Sequence, residues 1–392
     1  MATMTRARAY RGPTLFSYGF RPFFLFGAIL AGIMIPLWLA AFDGEVSLPT
    51  AFAPLDWHVH EMLFGYIGAV IAGFLLTAVP NWTGRLPIQG LPLAILFSTW
   101  LAGRLAVSLS GAIGWGAAMA VDSLFLLLLA AAAAREIVAG RKWGNLKVVG
   151  IVILLALVNI AFHVEAHVDG LAVYSSRAGI ALVVTLIGVI GGRIVPSFTR
   201  NWLARQGQGR MPAPFGRFDA VTMVVGVLAL TGWVVAPAAG IVAAALCIAG
   251  ALHLVRLARW AGERTFPDRL VLILHIAYAF VPVGFFLAAL SALGLVAPAA
   301  GVHAWTGGAI GTMTIAVMTR ASLGHTGRPL AASPLTQALY AAVVTAALAR
   351  ICASLEPSHA DVLLAVAGVA WTVAFLGFAL SYGPLLCAAR KT

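Results

Sequence analysis

Two short stretches concentrate the residues with ligand chemistry. The first, "DWHVHE", carries Asp56, His58, His60 and Glu61; the second, "NIAFHVEAH", carries His163 and His167. His163 and His167 stand at i and i+4, the spacing that puts two side chains on one helical face and lets two imidazoles reach one metal ion. The same pair would also suit a helix end near water. His58 and His60, at i and i+2, point apart on a helix and so serve different neighbours. Glu61, next to His60, has the position of a residue that orients a ligand imidazole through its other ring nitrogen, or of an interfacial acid.

The elements that hold these residues are membrane helices. Of 392 residues, 61% are hydrophobic and 10% charged, against about 25% charged in an ordinary soluble domain. The apolar runs are long and do not alternate, which selects helices over a barrel. At roughly 20 residues per crossing, hydropathy places spans at 23–42, 58–80, 91–110, 112–134, 147–167, 177–198, 218–236, 239–260, 270–292, 299–319, 333–353 and 360–382. The expectation is an all-α polytopic protein of about 12 crossings forming a single integral membrane domain, residues 1–392. The basic N-terminal stretch followed by an apolar run is read as a retained first helix, because the run is as long as a full crossing.

The net charge of +12 reflects topology rather than a nucleic-acid footprint, because the basic residues lie in short loops. Only Arg104, Arg177 and Arg350 fall on one side of the predicted spans; every other Lys and Arg falls with the termini. The positive-inside rule therefore puts both termini in the cytoplasm and the mouth of the second helix, with His58 and His60, at the outer face. Cys247, Cys352 and Cys387 lie far apart in apolar runs and read as small core residues. With no CxxCH sequence, a covalently attached c-type haem is not expected.

The chain echoes itself. Residues 60–85 align with residues 303–328, sharing a leading His, scattered Gly, Ile and Ala, and a closing Thr-Gly-Arg. A fainter copy, "VPSFTRN" at 195–201, lies over "VPNWTGR" at 79–85. The copies fall on the second, sixth and tenth helices, which suggests three four-helix units about a pseudo-threefold axis. The repeat also pairs His60 with His303. Two imidazoles from different helices are the usual way a bundle holds a haem by both axial positions, so these two are the expected haem ligands. His275 and His325, towards the cytoplasm, are alternative ligands. Arg21, Arg85, Arg193, Arg200, Arg320 and Arg328 recur at cytoplasmic helix ends, where forked guanidinium groups suit propionates or another anion as well as plain topology. Arg104 and Asp122, on consecutive helices, read as an embedded ion pair.

Taken together, "GFRPFF" (19–24), "HVHEMLFGY" (58–66), "GFLLTAVPNWTGR" (73–85), "RIVPSFTRNW" (193–202), "LHIAY" (274–278) and "VMTRASLGHTGR" (317–328) resemble the NnrS family over almost the whole chain. The resemblance implies a bacterial inner-membrane protein with haem b and copper that acts in nitric oxide metabolism, denitrification or nitrosative-stress protection. It implies nitric oxide or a related small molecule as partner, within the lipid bilayer, and an unnamed electron donor. Histidines on the second and tenth helices are also similar to the catalytic subunit of haem–copper oxidases and nitric oxide reductases. Those enzymes carry copper ligands on the sixth and seventh helices, where this chain has no histidine, so His163 and His167, with His58, are the expected copper set. An oxidoreductase acting on nitric oxide is one expected activity; a transporter or exporter of a metal, haem or nitrosated species is the alternative.

Overall fold

The computed structural model describes residues 10–389. Arg6, Arg8, Arg390 and Lys391, which contributed to the charge asymmetry, lie outside the described residues. The described chain is helical, with no strand among its elements. This follows from composition: in hydrocarbon every backbone N–H and C=O must be satisfied within its own segment. The long helices are α1 (Phe20–Phe42), α2 (Pro54–Thr83), α3 (Leu91–Ser108), α4 (Trp115–Ala139), α5 (Leu146–Val168), α6 (Val173–Leu203), α7 (Arg217–Val235), α8 (Gly240–Ala258), α9 (Arg269–Ala292), α10 (298–325), α11 (Pro334–Leu355) and α12 (Ala360–Cys387).

Eleven helices among the described residues are long and apolar enough to cross a membrane. The twelfth predicted span, 299–319, is helical within α10 but is not one of the eleven. Its Gly- and Thr-rich stretch, residues 304–314, is less apolar and largely buried, so protein rather than lipid faces most of it.

The backbone groups into two compact units. Among the described residues the first comprises 10–179, Ala321–Arg328 and 375–389; the second comprises Ile180–Arg320 and Pro329–Ala374. In the first unit α2 packs against α1 and α4, α3 against α4, and α4 against α5. The most apolar window of α2 is 83% buried, the highest share of any crossing, so α2 is the core of this unit. Phe23, Phe97, Trp100 and Phe125 brace α1, α3 and α4 with ring centroids 5.6–6.4 Å apart. In the second unit α7 packs on α8, α8 on α9, and α9 and α11 against the middle of α10. Asp268 caps α9 by accepting from the Leu270 and Val271 N–H groups at 3.0 and 3.3 Å.

The repeat is geometric as well as sequential. Each copy begins with a proline in the first helical turn, Pro54 or Pro298. Each reaches its histidine and then widens into a π-helical stretch, Glu61–Tyr66 after His60 and Ala304–Gly311 after His303. At the far ends, Thr83 donates to the Val79 carbonyl at 2.8 Å and Thr326 to the Ser322 carbonyl at 2.6 Å. The glycines that follow, Gly84 and Gly327, take left-handed φ values of 71° and 76°. The matched Thr-Gly-Arg therefore encodes one helix-ending turn, used once in each copy.

Candidate metal centre

Four helices of the first unit converge on one buried polar cluster. His60 ends the first segment of α2, Arg104 lies on α3, Asp122 on α4, and Asn159 and His163 stand one turn apart on α5. His60, Asp122 and His163 each offer a ligand atom, and the three atoms lie within 4.8 Å of one another. The His60 Nε2 is 3.2 Å from Asp122 Oδ2, and the His163 Nε2 is 3.3 Å from the same oxygen. The two imidazole rings meet nearly edge to face, with centroids 4.8 Å apart.

Second partners fix the orientation of each donor. The Asn159 Nδ2 donates to Asp122 Oδ2 at 2.7 Å, which turns the amide oxygen towards His60 Nε2 at 2.9 Å. Arg104 donates to Glu61 Oε1 at 2.5 Å and through its other terminal nitrogen to Asp122 Oδ1. A guanidinium fork spanning two carboxylates is a rigid, charge-assisted clamp. None of His60, Glu61, Asp122, Asn159 or His163 exceeds 2% exposure. Phe52, Phe64 and Phe162 surround the His60 ring at centroid distances of 5.1–5.3 Å.

Local backbone features admit these charges to an apolar core. A side-chain carbon at Gly65 would lie 2.7 Å from Arg104 Nη1, and one at Gly103 would lie 2.8 Å from Asp122 Oδ1. Only glycine leaves room at either place. The π-helical stretch starting at Glu61 loosens the α2 ladder, and the Gly65 carbonyl there accepts from Trp100 Nε1 at 2.9 Å. π-Helical turns of this kind are frequent at functional sites.

The other residues singled out by sequence have different company. His58 stacks on Trp38 at 4.4 Å and His167 stacks on Trp115 at 4.2 Å, so neither joins the His60–Asp122–His163 cluster. His303, in the second unit, has its Nδ1 3.4 Å from the Thr306 hydroxyl. His275 Nε2 lies 2.8 Å from the Thr199 hydroxyl, and His325 stacks against Tyr18 and Phe20. Arg21 donates to the Leu386 and Ala388 carbonyls at the end of α12, at 2.6 and 2.8 Å. Arg85 pairs with Glu136 at 2.5 Å, Arg200 donates to the Pro212 carbonyl at 2.8 Å, and Arg320 lies over the Phe198 ring at 4.1 Å. Arg193 is exposed on α6, and Arg328 is half-buried just after Gly327. Most of these arginines thus tie down the protein's own carbonyls, carboxylates and rings.

A sequence profile described as NnrS protein matches residues 14–390. The chain belongs to the NnrS family. No curated protein matches the chain. In this NnrS family member, the sequence marks Asp122 and Arg104 as embedded charges that can pair, and it does not single out Asn159. The signal for Asn159 was present: it precedes His163 by four positions and so shares its helical face.

A second buried network lies in the other unit. Arg256 donates to Asp219 Oδ1 at 3.0 Å, to the Gly188 carbonyl at 2.9 Å and to the Tyr278 hydroxyl at 2.9 Å. His253 Nδ1 lies 2.9 Å from the same hydroxyl, and Trp260 meets the Tyr278 ring edge to face at 4.5 Å. This network ties α6, α7, α8 and α9 together through one fully buried guanidinium.

Proposed function

We propose that this NnrS family protein binds copper in the bacterial inner membrane and acts in nitric oxide handling or protection from nitrosative stress, with His60, His163 and Asp122 holding the ion. The observation that carries the reading is the convergence of two imidazoles and a carboxylate, from three helices, to within 4.8 Å inside a membrane protein. Ionisable groups so placed are costly and usually functional. Imidazole nitrogen suits copper, and a neighbouring carboxylate completes a small-ion donor set. The role in nitric oxide chemistry rests on family membership, and the cytoplasmic placement of both termini on the distribution of Lys and Arg.

Bound copper supplies one-electron chemistry and a coordination position for a small neutral molecule such as nitric oxide. The chain's own residues do the rest. His60 and His163 are the nitrogen donors. Asn159 Nδ2 holds the Asp122 oxygen that faces the imidazoles, and Arg104 holds the oxygen that faces away from them. Phe52, Phe64 and Phe162 keep water from the centre. The resemblance implies haem b, and the internal repeat makes His60 and His303 its expected ligands. The His60 ring is wholly buried, with Asn159 and Asp122 at Nε2 and Glu61 at Nδ1, so a porphyrin face has no room against either nitrogen.

Metal analysis of the purified protein tests the reading. One copper per chain is expected, lost in His60→Ala, His163→Ala and Asp122→Ala, with greater sensitivity of cells carrying those variants to nitric oxide. A wild-type protein free of copper after expression in copper-replete medium sinks it.

A further inference from the structure

The ends of α2 and α4 farthest from His60 and Asp122 enclose a groove of about 270 Å³ that the copper reading does not use. Leu76, Val79 and Pro80 of α2, Ala132 and Ala133 of α4, and Leu86 of the loop after α2 give it apolar walls. Leu86 is 40% exposed, so the groove is open on one side. Its mouth is charged. Glu136, 8% exposed, accepts from Arg85 Nε at 2.5 Å on one oxygen. Its other oxygen accepts from Arg135 Nε at 3.0 Å and pairs with Nη2 at 2.9 Å. One carboxylate thus holds two guanidiniums and leaves one positive charge. The hydrogen bond from Arg85 comes from Nε alone, so its terminal nitrogens keep their forked edge for another acceptor. The two arginine side chains are 45% and 68% exposed. Arg141 and Lys142, both exposed, follow Gly140, where a side-chain carbon would lie 2.6 Å from Thr83 Cβ at the end of α2.

We propose that this groove binds an anionic phospholipid, with an acyl chain between α2 and α4 and its phosphate on Arg85 and Arg135. The phosphodiester brings the single negative charge that the rim lacks. A guanidinium fork matches two phosphate oxygens, and Glu136 fixes where the forks point. A zwitterionic headgroup carries a cation of its own, which the surplus positive charge repels. Basic residues at such a depth each add about a fivefold preference for anionic lipid.

Native mass spectrometry of the full-length protein in detergent, titrated with phosphatidylglycerol or phosphatidylcholine, tests this. The wild type is expected to hold one phosphatidylglycerol at least about tenfold more tightly than phosphatidylcholine. Arg85→Gln combined with Arg135→Gln should abolish that preference. Ala132→Leu fills the groove and keeps every charge, and it should weaken both lipids by roughly tenfold. Arg205→Gln combined with Arg217→Gln removes as much charge from exposed positions of the other unit and should leave the preference intact. Inorganic phosphate, which has no chain, should not displace the lipid. Equal affinity of the wild type for both lipids overturns the proposal, as does a preference lost equally in the Arg205 and Arg217 variant. Displacement by phosphate alone makes the rim a plain anion site and overturns it too. Should the Arg85 and Arg135 variant fail to fold, Ala132→Leu decides, and unchanged lipid binding there overturns the proposal. No arm of the experiment depends on copper.

Discussion

Asn159 and Asp122 are joined amide to carboxylate at 2.7 Å, and that bond decides which end of the amide His60 sees. Because the Asn159 nitrogen is committed to Asp122, its oxygen faces the His60 Nε2 at 2.9 Å. Asn159→Leu removes both contacts while keeping volume. The expected result is a 10- to 100-fold loss of copper affinity, the usual effect of removing a residue that orients ligands, measured by competition with a chelator. Unchanged affinity would show that the amide has no part in the centre.

His58→Ala and His167→Ala should both retain copper. Their rings stack on Trp38 and Trp115, away from the shared Asp122 oxygen. Metal content of the two purified variants checks this, and loss of the metal in either would return that residue to the copper set of His58, His163 and His167 expected from the sequence.

Gly103→Ala places a carbon 2.8 Å from Asp122 Oδ1 and 3.1 Å from the Asp122 backbone. The backbone contact cannot be relieved by a rotamer change, so α3 and α4 must separate. Overpacking of this kind costs about 1–3 kcal/mol. Lower thermal stability together with reduced copper content is expected, because the displaced group is itself a ligand.

Asp219→Asn in the second unit should destabilise the protein without touching the metal. It leaves the guanidinium of Arg256, 1% exposed, without its closest counter-charge. Breaking a buried pair on one side costs about 3–5 kcal/mol. Thermal unfolding in detergent reads the loss, and copper content should stay at the wild-type value. Loss of copper instead would tie the two networks together.

How much of this was legible in the sequence depended on which physical signal carried it. Hydropathy is a sum over many residues, so the crossings stood out. Thr-Gly-Arg was legible twice over, since its geometry depends on a glycine that takes positive φ. The partner of His163 was not. Spacing gave His167 the same face, but one turn farther out α5 meets Trp115 at the start of α4, and the ring stacks there. Facing inwards one turn back is Asn159, a neutral residue that composition cannot separate from a helix-surface amide. The π-helical stretches were invisible for a different reason: no residue type marks a helix whose backbone pairs one residue farther along the chain.

The clamp on Arg104 also orders the birth of the protein. An arginine costs about 2.5–3.5 kcal/mol at the centre of a crossing and less towards its end, where Arg104 stands, four residues before the end of α3. Glu61 is synthesised before Arg104, and Asp122 after it. Arg104 therefore reaches the bilayer when a counter-ion is already waiting on α2, and the guanidinium is in place to receive Asp122 when α4 follows. The order of the chain thus lets each charge of the clamp meet its partner as its helix arrives.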